Sequence, residues 1–219
     1  MRLGVSLSSS HPTDGPRLMI ERTRTAHRAG FGSLSIGDHH NVPAPYAQNT
    51  PMLGRLLAEW TDRPAGCLFL VPLWPPLLMA EQIGTLAAIH HGSSSDPSDA
   101  QPFIVQTGIG HGEATFRAMG ASLATRGRVL ETSIDVVKAL LAGETVNDEY
   151  LGLVGGRVGL RPDGPVEWWV GAGVDTAIER AARMGDAWYA APDLGPDDGA
   201  AKVEHYRSHG GTRAIIRKD

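Results

Sequence analysis

Residues 33–50 read SLSIGDHHNVPAPYAQNT, and this stretch decides the fold class. Residues 33–37 alternate small and apolar side chains, the pattern of a short buried strand. Asp38, His39 and His40 follow where that strand ends. Pro43 and Pro45 then hold the chain in an extended, non-helical loop. Thr50-Pro51 restarts it as a helix, with Thr50 as N-cap and Pro51 at the first helical position. A carboxylate and two imidazoles thus leave the C-terminal end of a strand under a long loop. That is the edge at which α/β proteins place their chemistry.

Working outward, apolar runs predict further strands at 3–7, 66–71, 103–108, 166–171, 187–190 and 213–217. Helices are predicted between them. Residues 16–29 enter through Asp14 and close at Gly30, and residues 51–61 carry Leu53, Leu56, Leu57 and Trp60 on one face. Further helices fall at 76–89, at 123–141 with Leu130, Ile134, Val137 and Leu141 aligned, after a capping box at Thr176 and Glu179, and at 200–208. Residues 90–101 read as a solvated loop and 147–164 as irregular chain with a small hairpin. Strand–helix alternation with short connections means a parallel sheet. Seven strands with no Gly-rich nucleotide turn after the first favour a TIM-barrel-like (β/α) barrel over a doubly wound sheet.

The chain of 219 residues is long enough for one barrel domain with a substantial core. Twenty basic against 24 acidic residues, net charge −4, point away from nucleic acid or an anionic membrane as partner. Cys67 stands alone, so no internal disulfide forms, and no signal-like segment precedes the first strand; both suit the cytoplasm. The most apolar stretch, 67–80, is broken by Pro72, Pro75 and Pro76 and is too short to span a bilayer.

Three segments carry candidate chemistry. In Asp38-His39-His40, an imidazole near neutral pKa passes protons and a neighbouring carboxylate orients it; the plainer reading has both rings bonded to the Pro-rich loop. In TGIGHGE (107–113), alternating glycines let backbone N–H groups approach an anion or a flat ring, although taken alone they read better as a plain tight turn. In WWVGAGVDT (168–176), a strand runs into a helix start whose free N–H groups suit a phosphate. His90, His91, His111, His205 and His209 form no H-x-H or HExxH spacing, and adjacent His39 and His40 face opposite ways in extended chain. No metal centre is therefore expected.

GDHHNVPAPYAQNTP, LVPLWPP before AEQIGTL, TGIGHGE, WWVGAG and AIERAARMGDAWYAAP occur in this order. Together they resemble the luciferase-like monooxygenases, a family of flavin- and deazaflavin-dependent oxidoreductases, over essentially the whole chain. The resemblance implies a TIM-like barrel using FMN or a deazaflavin coenzyme on a small organic substrate, with a second copy of the chain as partner. It places His39 and Glu113 in catalytic positions, and Asp38, Gly108, Gly110, Gly171, Ala172 and Gly173 around the cofactor. GHGEA looks most like deazaflavin-dependent members, and Ile109 stands near the phosphate-binding arginine of several FMN-using relatives. Trp74-Pro75-Pro76 replaces a common Arg-His-Pro, and Trp74 reads either as a stacking residue or as a core or dimer contact. Measured against the family, the barrel is expected to lack its last strand and helix. The alternative is therefore a non-catalytic shortened barrel that binds a flavin derivative or a partner chain.

Overall fold

The computed structural model describes residues 3–7, 15–93 and 99–217. Its strands are β1 (Val5–Leu7), β2 (Leu34–Ile36), β3 (Ala65–Leu70), β4 (Phe103–Gly108), β5 (Val146–Asp148), β6 (Leu153–Gly156), β7 (Val166–Ala172), β8 (Ala187–Ala190) and β9 (Ala214–Ile215). The α-helices are α1 (Gly15–Arg28), α2 (Asn49–Leu56), α3 (Pro76–His91), α4 (Glu113–Ala118), α5 (Arg126–Ala142), α6 (Asp175–Met184) and α7 (Pro196–Ser208).

Among the described residues, seven strands form one sheet in the order β1-β2-β3-β4-β7-β8-β9. Every neighbouring pair is parallel. The order never reverses. A doubly wound sheet changes direction at its switch point, whereas a sheet that always adds the next strand on the same side curls toward a barrel. Here β1 and β9 remain unpaired with each other among the described residues, so the barrel is open. Residues β5 and β6 make the small antiparallel hairpin expected near 147–164.

Period-two alternation divides the sheet into two faces. Cys67, Phe69, Val105, Trp168, Val170 and Trp188 join the large core under the helices. Met79, Ile83 and Leu86 of α3 and Leu130, Ile134, Val137 and Leu140 of α5 enter the same core. The face turned away from the helices carries a separate cluster of Ile104, Trp169, Ala187 and Tyr189, with Leu68 and Ile215 against it.

Some local expectations are corrected. Helix α2 begins at Asn49 behind Gln48 rather than being capped by Thr50. Asn49 explains the shift: its Oδ1 accepts the Thr50 N–H (2.8 Å) and its Nδ2 donates to the Leu68 carbonyl of β3 (2.6 Å). The capping box at Thr176 and Glu179 does not form; α6 is entered through Val174 with no side-chain cap. Helix α4 is too short to show a period and falls where no helix was predicted. Helix α3 runs on through His90 and His91, both buried. The His91 ring nitrogens lie 3.1 Å from Asp163 and 3.2 Å from the Pro165 carbonyl, which fastens this helix end to the start of β7. The Asp14 helix entry and residues 94–98 of the expected loop lie outside the described residues. Among the described residues no helix is long and apolar enough to cross a membrane.

Burial pushes His90 down to about 4, with the like charge of His91 adding to the effect. The folded chain therefore refuses a proton that the unfolded chain accepts below about pH 6.5. Stability should fall as pH drops from about 6.5 to 4, by up to about 3 kcal/mol from this residue. Urea midpoints compared at pH 7 and 4.5 for the parent and His90→Leu check this. The variant should lose distinctly less stability on acidification than the parent.

Candidate active site

All seven strands run the same way, so the chain segments leaving β2, β3, β4 and β7 emerge at one rim. The centre of that rim is Asp38, whose side chain has no exposed surface. Its Oδ2 accepts the Leu70 N–H (2.7 Å) at the end of β3 and the Trp74 indole N–H (2.8 Å). Its Oδ1 lies 3.2 Å from His40 Nε2, without hydrogen-bond alignment. Trp74 stands edge-on to both Phe69 and His40, with centroids 5.2 and 5.7 Å apart. A buried carboxylate is stabilised when its lone pairs are met, and here the end of β3 and an indole meet those of Oδ2.

His39, one residue on, points the other way. It is exposed and edge-on to Tyr46, with centroids 5.5 Å apart, while its carbonyl accepts from Gln48 Nε2 (3.3 Å). The expectation that adjacent histidines diverge is met, but the carboxylate faces His40 rather than His39. Asp38, expected at the cofactor, is turned inward and serves to join β2 to β3. Trp74 likewise spends its N–H on Asp38.

At β4 and β7 the structure brings two glycines side by side. A Cβ built on Gly171 would stand 2.2 Å from the Thr107 carbonyl oxygen and 3.7 Å from Gly108 Cα. A Cβ on Gly108 would stand 3.0 Å from Leu70 Cδ2. Both glycines are required by close packing, because the Thr107 carbonyl and the Leu70 side chain fill the places their own side chains would take. Gly110 (φ +69°) and Gly112 (φ +84°) have left-handed backbones, so the plainer turn reading accounts for them. Ala172 is buried and its carbonyl accepts the Trp188 indole N–H (2.9 Å). Gly173 is exposed, and a Cβ there would meet nothing within 4 Å.

Glu113 opens α4 with its side chain 75% exposed, 3.5 Å from Arg117. It lines an open cavity of about 480 Å³ with Phe116, Ser122 and Arg126. His39 and Glu113 follow β2 and β4, with β3 between them. Cys67 is fully buried and desolvation raises its thiol well above the usual range, which removes it as a nucleophile.

One functional candidate was not legible in the sequence. Lys202 of α7 reaches across to donate to the Gly173 carbonyl (2.9 Å) and lies 3.1 Å from Asp198. It sets an ammonium group beside the exposed glycine. The first turn of α6 also holds Asp175, whose carboxylate opposes an anion there.

The luciferase-like monooxygenase profile matches residues 1–215. The chain belongs to this family. An uncharacterised protein of Mycobacterium tuberculosis is 26% identical over 196 residues, spanning 77% of this chain and 63% of its own length. An F420-dependent glucose-6-phosphate dehydrogenase of Intrasporangium calvum is 28% identical over 201 residues, spanning 85% of this chain and 57% of its own. An F420-dependent secondary alcohol dehydrogenase, solved in complex with an F420-acetone adduct, superimposes with a TM-score of 0.73 at 19% identity, covering 97% of this chain and 66% of that one. The oxygenating constituent of 3,6-diketocamphane monooxygenase from Pseudomonas putida, in complex with FMN, gives 0.70 at 16% identity, covering 96% and 62%. The chain spans about three-fifths of the length of these two curated relatives.

Trp74→Phe keeps the aromatic packing and deletes one of the two protein donors to Asp38 Oδ2. The variant should unfold about 2 kcal/mol more easily, the usual worth of a hydrogen bond to a buried charge. Urea denaturation at pH 7 measures it, and an unchanged midpoint would show the indole N–H to be idle.

Proposed function

We propose that this luciferase-like chain is a flavin- or deazaflavin-dependent oxidoreductase acting on a small organic substrate. The observation that carries the reading is the close meeting of two half-buried glycines, Gly108 and Gly171, on the rim from which the His39 loop also emerges. Backbone that carries no side chain is a surface a flat ring can approach closely. The F420-dependent relatives and the Glu113 position favour a deazaflavin over FMN.

When bound, the cofactor supplies hydride transfer or oxygen chemistry that amino acids lack. The chain's own residues bind, orient and move protons. Gly108 and Gly171 would offer backbone to the ring; the N–H groups of Gly173 and the α6 entry, with the Lys202 ammonium beside them, would hold a phosphate. Asp38 keeps the ends of β2 and β3 together, and thereby sets the height of the His39 loop over the rim. A ring nitrogen of His39 gives or takes the substrate's proton, with Glu113 as a second proton-transfer group. We further assign the protein to the cytoplasm and to a homodimer. In the dimer a second copy would cover the unpaired β1 edge, beside which Val5, Leu7, Leu18 and Phe31 line a groove of about 520 Å³.

A second reading rests on the exposure of both His39 and Glu113, which leaves neither held by a buried partner. In it the chain binds a flavin derivative without turnover.

Absorbance titration with FMN and with a deazaflavin, followed by turnover assays, separates the two. His39→Asn should lower turnover by about 100- to 10,000-fold and change cofactor affinity less than about tenfold. Gly173→Asp has room in the fold, so it should leave the melting temperature intact while weakening cofactor binding by about tenfold or more through charge repulsion. Equal affinity in Gly173→Asp would move the phosphate elsewhere, and tight binding with no turnover in the parent would select the second reading.

A further inference from the structure

We propose that Glu179, His205 and His209 form a site for a divalent transition metal that ties α6 to α7. Glu179 lies in α6, His205 in the last turn of α7, and His209 caps that helix. His205 Nε2 stands 3.2 Å from Glu179 Oε1, and His209 Nε2 stands 3.9 Å from the same oxygen. One ligand atom from each residue lies within 4.8 Å of the other two. Around a tetrahedral ion with bonds of about 2.1 Å, ligand atoms sit about 3.4 Å apart, so small side-chain adjustments complete the geometry.

Two further observations show that the ring nitrogens are oriented for ligation. First, His209 Nδ1 lies 2.9 Å from the His205 carbonyl oxygen, which can only accept. That contact takes an N–H on Nδ1, which Ser208 Oγ also approaches at 3.2 Å, and leaves Nε2, toward Glu179, as the nitrogen that ligates once it carries no proton. Metal-ligating histidines are oriented in this way, with the second nitrogen donating to a carbonyl. Second, His205 Nε2 is shielded from water, yet it has no aligned hydrogen-bond partner. A shielded ring nitrogen facing a carboxylate without a hydrogen bond keeps its lone pair available to an ion that both can reach.

The donor set selects the ion class. Two imidazoles and a carboxylate suit Zn²⁺, Co²⁺, Ni²⁺ or Cu²⁺, whereas Mg²⁺ and Ca²⁺ prefer oxygen ligands throughout. Glu179 and His209 keep about two-fifths of their side-chain surface exposed, so a coordination position stays open to water. Sequence spacing expected no metal centre because it sought H-x-H and HExxH patterns. His205 and His209 instead form an i, i+4 pair at a helix end, and the third ligand comes from another helix. His205 also follows Lys202 by three residues, so the ion would steady the helix face that reaches Gly173.

The test uses the untagged, chelator-stripped chain, titrated calorimetrically with ZnCl₂ and, in parallel, with MgCl₂. One Zn²⁺ should bind per chain, and the melting temperature should rise with Zn²⁺ but not with Mg²⁺. His209→Ala and Glu179→Gln should each weaken Zn²⁺ binding by about tenfold or more and remove the thermal shift, with unchanged far-UV circular dichroism confirming the fold. Absence of saturable Zn²⁺ binding would overturn the proposal, as would binding of undiminished affinity in both variants. The readout is independent of turnover and of any flavin.

Discussion

The Asp38 carboxylate is the constraint on which the rim of this barrel depends. Neighbouring parallel strands are held by their ladders, but their ends diverge unless something joins them beyond the last ladder bond. Asp38 does so by accepting from the backbone of Leu70 and from the indole of Trp74 at once. Asn49 adds a second tie, from the start of α2 back to the Leu68 carbonyl. The Pro-rich loop between them is thereby anchored at both ends on β3, and the two histidines at its start take opposite sides.

Much of the architecture was readable in advance because barrels repeat one physical unit. Apolar runs such as 103–108 and 187–190 are buried on both faces, and their bounds coincide with β4 and β8. Helix faces defined by Leu53 and Leu56, or by Leu130, Ile134 and Val137, lie in the core as their spacing required. Boundaries failed where a tertiary partner outbid a local signal. Thr50 and Pro51 form a good helix start, but the Asn49 side chain satisfies both itself and β3. His90 and His91 look like loop residues, but burial against β4 and the Pro165 carbonyl keeps them helical.

The candidate site was legible only in part. Glycine positions mark where backbone must be approached, so Gly108 and Gly171 could be named from sequence, whereas their contact follows from the β4–β7 register. Which of two adjacent histidines meets a carboxylate depends on loop geometry that no periodicity encodes. Lys202 and the Glu179–His205–His209 cluster depend on how α6 and α7 lie together, and residues on separate helices carry no spacing signal. Both features occupy the same pair of helices, so the outer layer of this part of the barrel and its rim are mechanically joined.

The Gly108–Gly171 contact has a consequence for how the protein should be dissected. Its defining property is the lack of atoms, and alanine scanning works by taking atoms away. At Gly171 an alanine is an insertion, driving a methyl group to 2.2 Å from the Thr107 carbonyl oxygen. A conventional scan would therefore score this position as a folding defect, whatever else the backbone there contacts. Mapping such a site needs the reverse experiment, in which ligands are enlarged or trimmed while the polypeptide is left as it is.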